Sequence, residues 1–398
     1  MAKQATQTDI PIFGEHDSAT IAQIRRSAED ERVAAAALMA DGHLGYASMP
    51  IGGVLAYRDT ISPSGVGFDI GCGNDAVLTN LKASDVVPQL AKIMDEIVQR
   101  IAFGIGRSNK QEQVHDPLFS SPLWKEIPYL KDLKKLAREQ LGTVGSGNHY
   151  VNIFQDEQER IWVGVHFGSR GFGHKVASGF MSLAAGHSFN SKPKEGMDSP
   201  PIVFPLKSSL GELYWHCMNL AGAYAKAGRA YVINQVVAIL GAEVQEKVSN
   251  HHNFAWKEQH NGEELIVIRK GSTPSWPGQR SFVGGSMGDP SVILRGKESA
   301  QARQTLYSTV HGAGRVLSRS KAAGRRGKPG LVSPEMMKEW VQREGVLLRG
   351  GGLDESPHVY RRLVDVLTYH ADTVEVEHWL KPLGVAMAGA DVYDPYKD

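Results

Sequence analysis

Forty-three of the 398 residues are glycine, and they gather around polar and ionisable side chains rather than in a linker. Glycines placed this way mark strained turns and close approach of backbone to a ligand. The clearest case is Gly65-Val66-Gly67-Phe68-Asp69-Ile70-Gly71-Cys72-Gly73, which carries one of only two cysteines. A thiol in so glycine-rich a segment is poorly placed for ordinary core packing. Asp69, three residues earlier, supplies a second anionic donor on the same short turn.

Two cysteines cannot build a disulfide framework, so metal or structural roles come first and a reducing compartment is expected. Met1 to Phe13 shows no signal-peptide pattern. The longest apolar run, Val33 to Ala40, is far short of the ~20 residues of a membrane span. These features read as a soluble, cytoplasmic protein with no membrane partner. A formal net charge of +1 gives no bulk electrostatic case for nucleic acid. Charge is nonetheless concentrated in Arg315, Arg319, Lys321, Arg325, Arg326 and Lys328. That run is a solvated face or a phosphate-binding surface.

The periodicity predicts an amphipathic helix over Ala19 to Ala40, capped by Asp17 or Ser18. Strands and tight turns are expected from Gly42 to Asn80, and helices over Val86 to Phe103 and Asp132 to Leu141. Ile161 to His166 and Leu265 to Arg269 read as strands. Leu210 to Leu240 reads as one long or broken helix with Cys217 as a buried small hydrophobe. Asn190 to Pro205 and Gly271 to Pro290 read as loops, and Ser299 to Ser318 as partly helical. Chemistry-bearing segments are spread from about residue 41 to 330. The expected architecture is therefore α+β: one interwoven domain over 1–398, central mixed β-sheets flanked by helices, and an acidic tail over 390–398.

Asp69 and Cys72 on one turn, with His149, His166 and His252 at expected loop junctions, form a set of N, S and O donors suited to a divalent ion. Five ligands are few for two separate ions, but a thiolate has lone pairs enough to bridge. Asp41 and His43 could orient such ligands from behind. A histidine beside glycine is also a common hydrogen-bonded turn residue, and the spacing matches no local metal signature. Both readings stand on the residues alone. Gly142 to His149 and Gly284 to Gly288 expose backbone N–H groups able to cradle phosphate, or are plain turns. His311 is followed by small residues and by Arg315, which suits attack on phosphorus or general acid–base work.

Taken in order, these segments resemble the RtcB family of RNA-splicing and RNA-repair ligases. The resemblance runs from about Asp41 to Gly389. It rests on Met49 to Val54, Ser62 to Cys72, Gly142 to His149, His166 to Gly173, His252-Asn253, Arg269 to Gly271, Gly285 to Gly288 and His311 to Arg319.

The resemblance implies two Mn²⁺ ions, GTP, and a covalent histidine–GMP intermediate on His311. Asp69, Cys72 and His149 would hold one ion, and Cys72, His166 and His252 the other. Asn148, Asn152, Asn253, Lys270, Gly285, Ser286, Met287, Gly288, Gly312, Ala313, Gly314 and Arg315 would contact the nucleotide. Arg170 and Arg319 would suit RNA phosphates. The implied reaction joins an RNA 3′-phosphate or 2′,3′-cyclic phosphate end to a 5′-hydroxyl end, as in RNA repair or tRNA splicing. The implied enzyme is a monomer that can work with an archease-like activating protein. Two competing readings are a metal-dependent cyclic phosphodiesterase that processes ends without sealing, and a non-catalytic RNA-binding paralogue.

The chain departs from the family pattern twice. Asn152 stands where the family usually has a base-reading glutamate, so guanine selectivity is expected to be weaker or altered. Ala388 stands in place of a C-terminal lysine, and Asp391, Asp394 and Asp398 follow.

Overall fold

The computed structural model describes residues 10–109, 114–193, 196, 198–325, 328–390 and 392. Arg326 and the acidic residues Asp391, Asp394 and Asp398 lie outside them.

The α+β expectation holds. An eight-stranded sheet runs in the order Val244–His251, Gly73–Lys82, Arg160–Phe167, Tyr150–Gln155, Val374–Gly389, Ser291–Gly296 and Arg280–Val283, antiparallel at every step. Leu347–Gly351 adds in parallel to the far half of the long strand Val374–Gly389. Its two ends approach one another. Asn250 Nδ2 donates to Arg280 O at 3.3 Å, and Arg280 Nη1 meets Glu246 at 2.8 Å. The sheet is nearly closed.

Period-two alternation explains how it packs. Val77, Val151, Ile153, Val163 and Val165 face outward against Ile93 and Ile97 of the helix Leu90–Arg100 and Val232 and Val236 of the helix Ser209–Leu240. Leu78, Phe154, Trp162, Phe282 and Leu380 fill the interior. A second sheet, Val33–His43, Ile51–Tyr57, Glu263–Lys270 and Asn253–His260, lies beside the first. His252 is the single residue between strands of the two sheets, Val244–His251 and Asn253–His260.

The helix expected over Ala19 to Ala40 stops at Ser27, and Val33–His43 is a strand. Alanine favours helix locally, but Ala36 to Gly42 is buried on both sides. Ala36 and Leu38 enter one core while Ala37 and Met39 enter another. Only a strand presents alternate residues to opposite faces, so tertiary burial overrides propensity. The segment Gly271 to Pro290 likewise contains strands Ser272–Pro274 and Arg280–Val283 rather than loop throughout. Among the described residues no helix is long and apolar enough to cross a membrane.

Candidate metal centre and nucleophile

Antiparallel pairing brings four donors to one end of the large sheet. Gly73 pairs with both Phe167 and His251, and Tyr150 pairs with His166. Cys72, His166, His252 and His149 therefore sit at neighbouring strand ends. Cys72 Sγ lies 3.3 Å from His166 Nε2 and 3.7 Å from His149 Nε2. His166 Nε2 and His252 Nε2 are 3.3 Å apart, and Asp69 Oδ2 is 3.2 Å from His149 Nε2. Sulfur and nitrogen ligands of one tetrahedral ion at ordinary bond lengths are about 3.5 Å apart.

Backbone carbonyls set the tautomers. His149 Nδ1–H donates to Val144 O and His166 Nδ1–H to Asn148 O, each at 3.0 Å. The Nε2 lone pairs are left facing Cys72, the arrangement metal-ligating histidines need. Burial, with neighbouring imidazoles, holds His166 and His252 well below the ordinary histidine value, so both rings are neutral. Burial pushes the Asp69 carboxyl up, but the neighbouring His149 ring and the Arg170 guanidinium outweigh this and hold it at about 2. Burial also drives the Cys72 thiol well upward, with Asp69 adding to the effect. His252 Nδ1 is buried without a hydrogen-bond partner among the described residues. Converging imidazole lone pairs and a carboxylate repel one another until a cation joins them, and a bound cation deprotonates the thiol. The residues present fit a divalent ion.

Close backbone approach makes the cluster possible. Gly168 lies against the Asp69 carboxylate, and a Cβ there would stand 2.2 Å from Oδ1. Gly71, at φ +70°, lets its turn press against Gly222 of the helix Ser209–Leu240. Arg229 on that helix is wholly buried. It donates to Asp75 at 2.7 Å, Gly71 O at 2.9 Å and Phe167 O at 3.0 Å, fixing the Cys72 turn to the His166 strand end. Sequence reasoning missed Arg229; an arginine inside an otherwise apolar helix was its signal.

His311 follows the strand Ser308–Val310, and its ring lies 4.8 Å from that of His252, centre to centre, tilted by 60°. Asp41 Oδ2 accepts from His311 Nδ1 at 2.6 Å and from the backbone N–H groups of His311 and Gly312 at 2.9 and 3.2 Å. Asp41 was expected behind the metal ligands, but its bonds go to the His311 segment. His43 bonds the Asp41 carbonyl at 3.1 Å. Asn74 Nδ2 donates to His311 O at 3.1 Å.

The expected nucleotide and phosphate contacts divide. Gly284, before Gly285 to Gly288, bridges to Gly312 and brings that loop beside the His311 segment. Gly285 N–H donates to Ser291 Oγ, and Ser286 Oγ to Asp289 at 2.7 Å. Met287 is buried, as are Asn152 and Ala313. The Arg170 guanidinium lies against Gly145, and that of Arg319 against Gly147, bracketing the loop that carries Asn148 and His149. Other residues are engaged structurally. Asn253 donates to Asp69 O and accepts from Gly271 N, clamping two turns together. Lys270 Nζ donates to Tyr46 O and Met49 O. Arg315 is held by Glu355, Tyr360 and the Asp354 carbonyl, and Gly314 O accepts from Arg361 N. The acidic pair Asp354 and Glu355, which also meets Arg319, was not anticipated.

A second grouping, Asp156, Glu157 and His378, is explained without an ion. Asp156 accepts from Gln158 N, Arg160 N and Nε and Trp162 Nε1, which closes a hairpin turn.

A thiol, a carboxylate and three imidazoles meet at one sheet end, a donor set that could hold a divalent ion, beside a fourth imidazole fixed by its own carboxylate. The chain belongs to the RtcB family. The family model described as tRNA-splicing ligase RtcB matches residues 23–129 and 125–388. The chain is 31% identical over 373 residues to the RNA-splicing ligase RtcB of Escherichia coli K12, covering 87% of this chain and 88% of that protein. It is 31% identical to the tRNA-splicing ligase RtcB of Archaeoglobus fulgidus, covering 88% and 87%. The corresponding protein of Thermococcus kodakarensis is 28% identical, covering 88% and 86%.

Proposed function

We propose that the protein is an RNA ligase that seals a 3′-phosphate or 2′,3′-cyclic phosphate end to a 5′-hydroxyl end, using GTP, two Mn²⁺ ions and His311 as covalent nucleophile. Family membership supports the reaction class. The observation that carries the nucleophile is Asp41 on His311: with Nδ1–H committed to the carboxylate at 2.6 Å, Nε2 is the nitrogen left with a free lone pair.

Asp69, Cys72 and His149 would hold one ion, and Cys72, His166 and His252 the other. Ions bound there would neutralise phosphate oxygens and align them for in-line displacement. His311 Nε2 forms a bond to the α-phosphorus of the nucleotide as the bond to pyrophosphate breaks. Asp41 stabilises the positive charge that develops on the ring. A 2′,3′-cyclic end would first be opened by water to a 3′-phosphate with a free 2′-hydroxyl; the nucleotidyl group then passes to the RNA 3′-phosphate, releasing His311 neutral. A 5′-hydroxyl attacks the activated phosphate, and GMP leaves. Arg170 and Arg319, beside the 145–147 loop, would contact RNA phosphates.

The test is to incubate the protein with Mn²⁺ and α-labelled GTP or ATP. Acid-labile, alkali-stable label should appear on the chain and vanish in His311→Ala. No label from either nucleotide on metal-replete protein would sink the proposal.

A further inference from the structure

We infer that Asn152 makes the nucleotide site read adenine and guanine alike, without sensing the guanine 2-amino group. This rests on the nucleotidyl-transfer reading above. Asn152 sits mid-strand, paired with Gly164 on one side and Val385 on the other, and is 4% exposed. Its Oδ1 is buried without a hydrogen-bond partner among the described residues. The Tyr150 hydroxyl, on the same strand face, and Trp340 Nε1 are buried and unpartnered in the same way. Such groups are costly to keep unless something binds them.

Tyr150 and Trp340 both border the glycine loop. A Cβ on Gly284 would stand 2.5 Å from the Tyr150 hydroxyl, and one on Gly288 would stand 3.0 Å from Trp340 Nε1. Gly284 in turn bridges to Gly312, the neighbour of His311. The path runs from the nucleophile through the glycine loop to Tyr150, and Asn152 lies about 7 Å further along the strand. The Met287 and Met387 side chains join Tyr150 and Phe154 in the apolar cluster there, which suits a flat heterocycle.

The chemistry of the amide then decides. A carboxylate only accepts, so it would take the two N–H groups of guanine and repel the N1 lone pair of adenine. An amide offers one acceptor and one donor. It can take adenine through N6–H and N1, or, turned over, guanine through N1–H and O6. Hypoxanthine presents the same pair of groups as guanine. The 2-amino group is not used.

Titration calorimetry of the His311→Ala variant with Mn²⁺ and GTP, ITP or ATP measures this without turnover. The three dissociation constants should agree within about tenfold. Asn152→Glu should then favour GTP over ITP and ATP, by roughly ten- to hundredfold. GTP favoured over ATP by more than tenfold with Asn152 in place overturns the inference, whether or not the glutamate variant folds. Unchanged ratios in a folded Asn152→Glu variant overturn it too. Label on wild-type protein from GTP alone overturns the base reading and leaves nucleotidyl transfer standing. No binding and no label with any nucleotide overturns both.

Discussion

The Asp41 carboxylate holds His311 by one oxygen, which accepts from the ring Nδ1 at 2.6 Å and from two backbone N–H groups of the same segment. Asp41 is wholly buried, and burial alone would raise its carboxyl. The neighbouring His311 ring and its hydrogen bonds outweigh this and hold the carboxyl below its ordinary value. The pair sets both the tautomer and the angle of the His311 ring.

Asp41→Asn keeps the volume and one oxygen but removes the charge opposite the developing imidazolium. The rate of nucleotide labelling should fall by about a hundredfold or more, with little change in melting temperature. Labelling within twofold of wild type would show that the carboxylate does not assist the ring.

Cys72→Ser should lower metal content at both positions, because a hydroxyl is a far weaker bridging donor than a thiolate. Metal analysis of purified protein, loaded with Mn²⁺ and desalted, reads the result. Two ions at full occupancy would contradict a shared thiolate.

Lys270 gives a pH dependence of stability. Burial draws its ammonium down to about 7. The folded value lies below the unfolded one, so the unfolded chain binds more protons between about pH 7 and 10. Stability rises with pH across that window, by ~1.4 kcal/mol per pH unit for one proton. Lys270→Met removes this contribution. Between pH 7.5 and 9, wild type should gain about 2 kcal/mol relative to the variant in urea unfolding. Parallel curves would place the lysine's titration elsewhere.

Arg229 and Asp75 are both fully buried and paired at 2.7 Å. Arg229→Met strands the Asp75 charge and frees the carbonyls of Gly71 and Phe167. A loss of about 3–5 kcal/mol is expected in chemical denaturation. A loss under 1 kcal/mol would mean that the turn holding Cys72 is fixed by other contacts.

Much of this was legible in the residues. Ser209–Leu240 is helical as its long apolar stretch implies, and Cys217 is buried within it. Arg160–Phe167 and Glu263–Lys270 are strands, as their β-branched runs suggest. The donors Asp69, Cys72, His149, His166 and His252 meet in space as glycine-flanked residues of this type can. The segment Val33–His43 failed because alanine-rich runs encode helix locally and strand only when both faces are buried. Lys270 and Arg315 were expected at phosphate; the structure shows Lys270 on the carbonyls of Tyr46 and Met49, and Arg315 on Glu355 and the Asp354 carbonyl. A basic side chain carries no mark of which acceptor it will reach.

The sequence by itself determined the chemistry available: one glycine-cradled thiol, the carboxylate beside it, the histidines, and an amide at position 152. Those are properties of residue type and near neighbours, and no folding is needed to read them. Only the tertiary structure decided who touches whom. Asp41 and His311 are 270 positions apart, and Asn152 gains its meaning from an oxygen left unpartnered inside a sheet. Long-range pairing and burial create those relationships, and neither leaves a local signal in the chain.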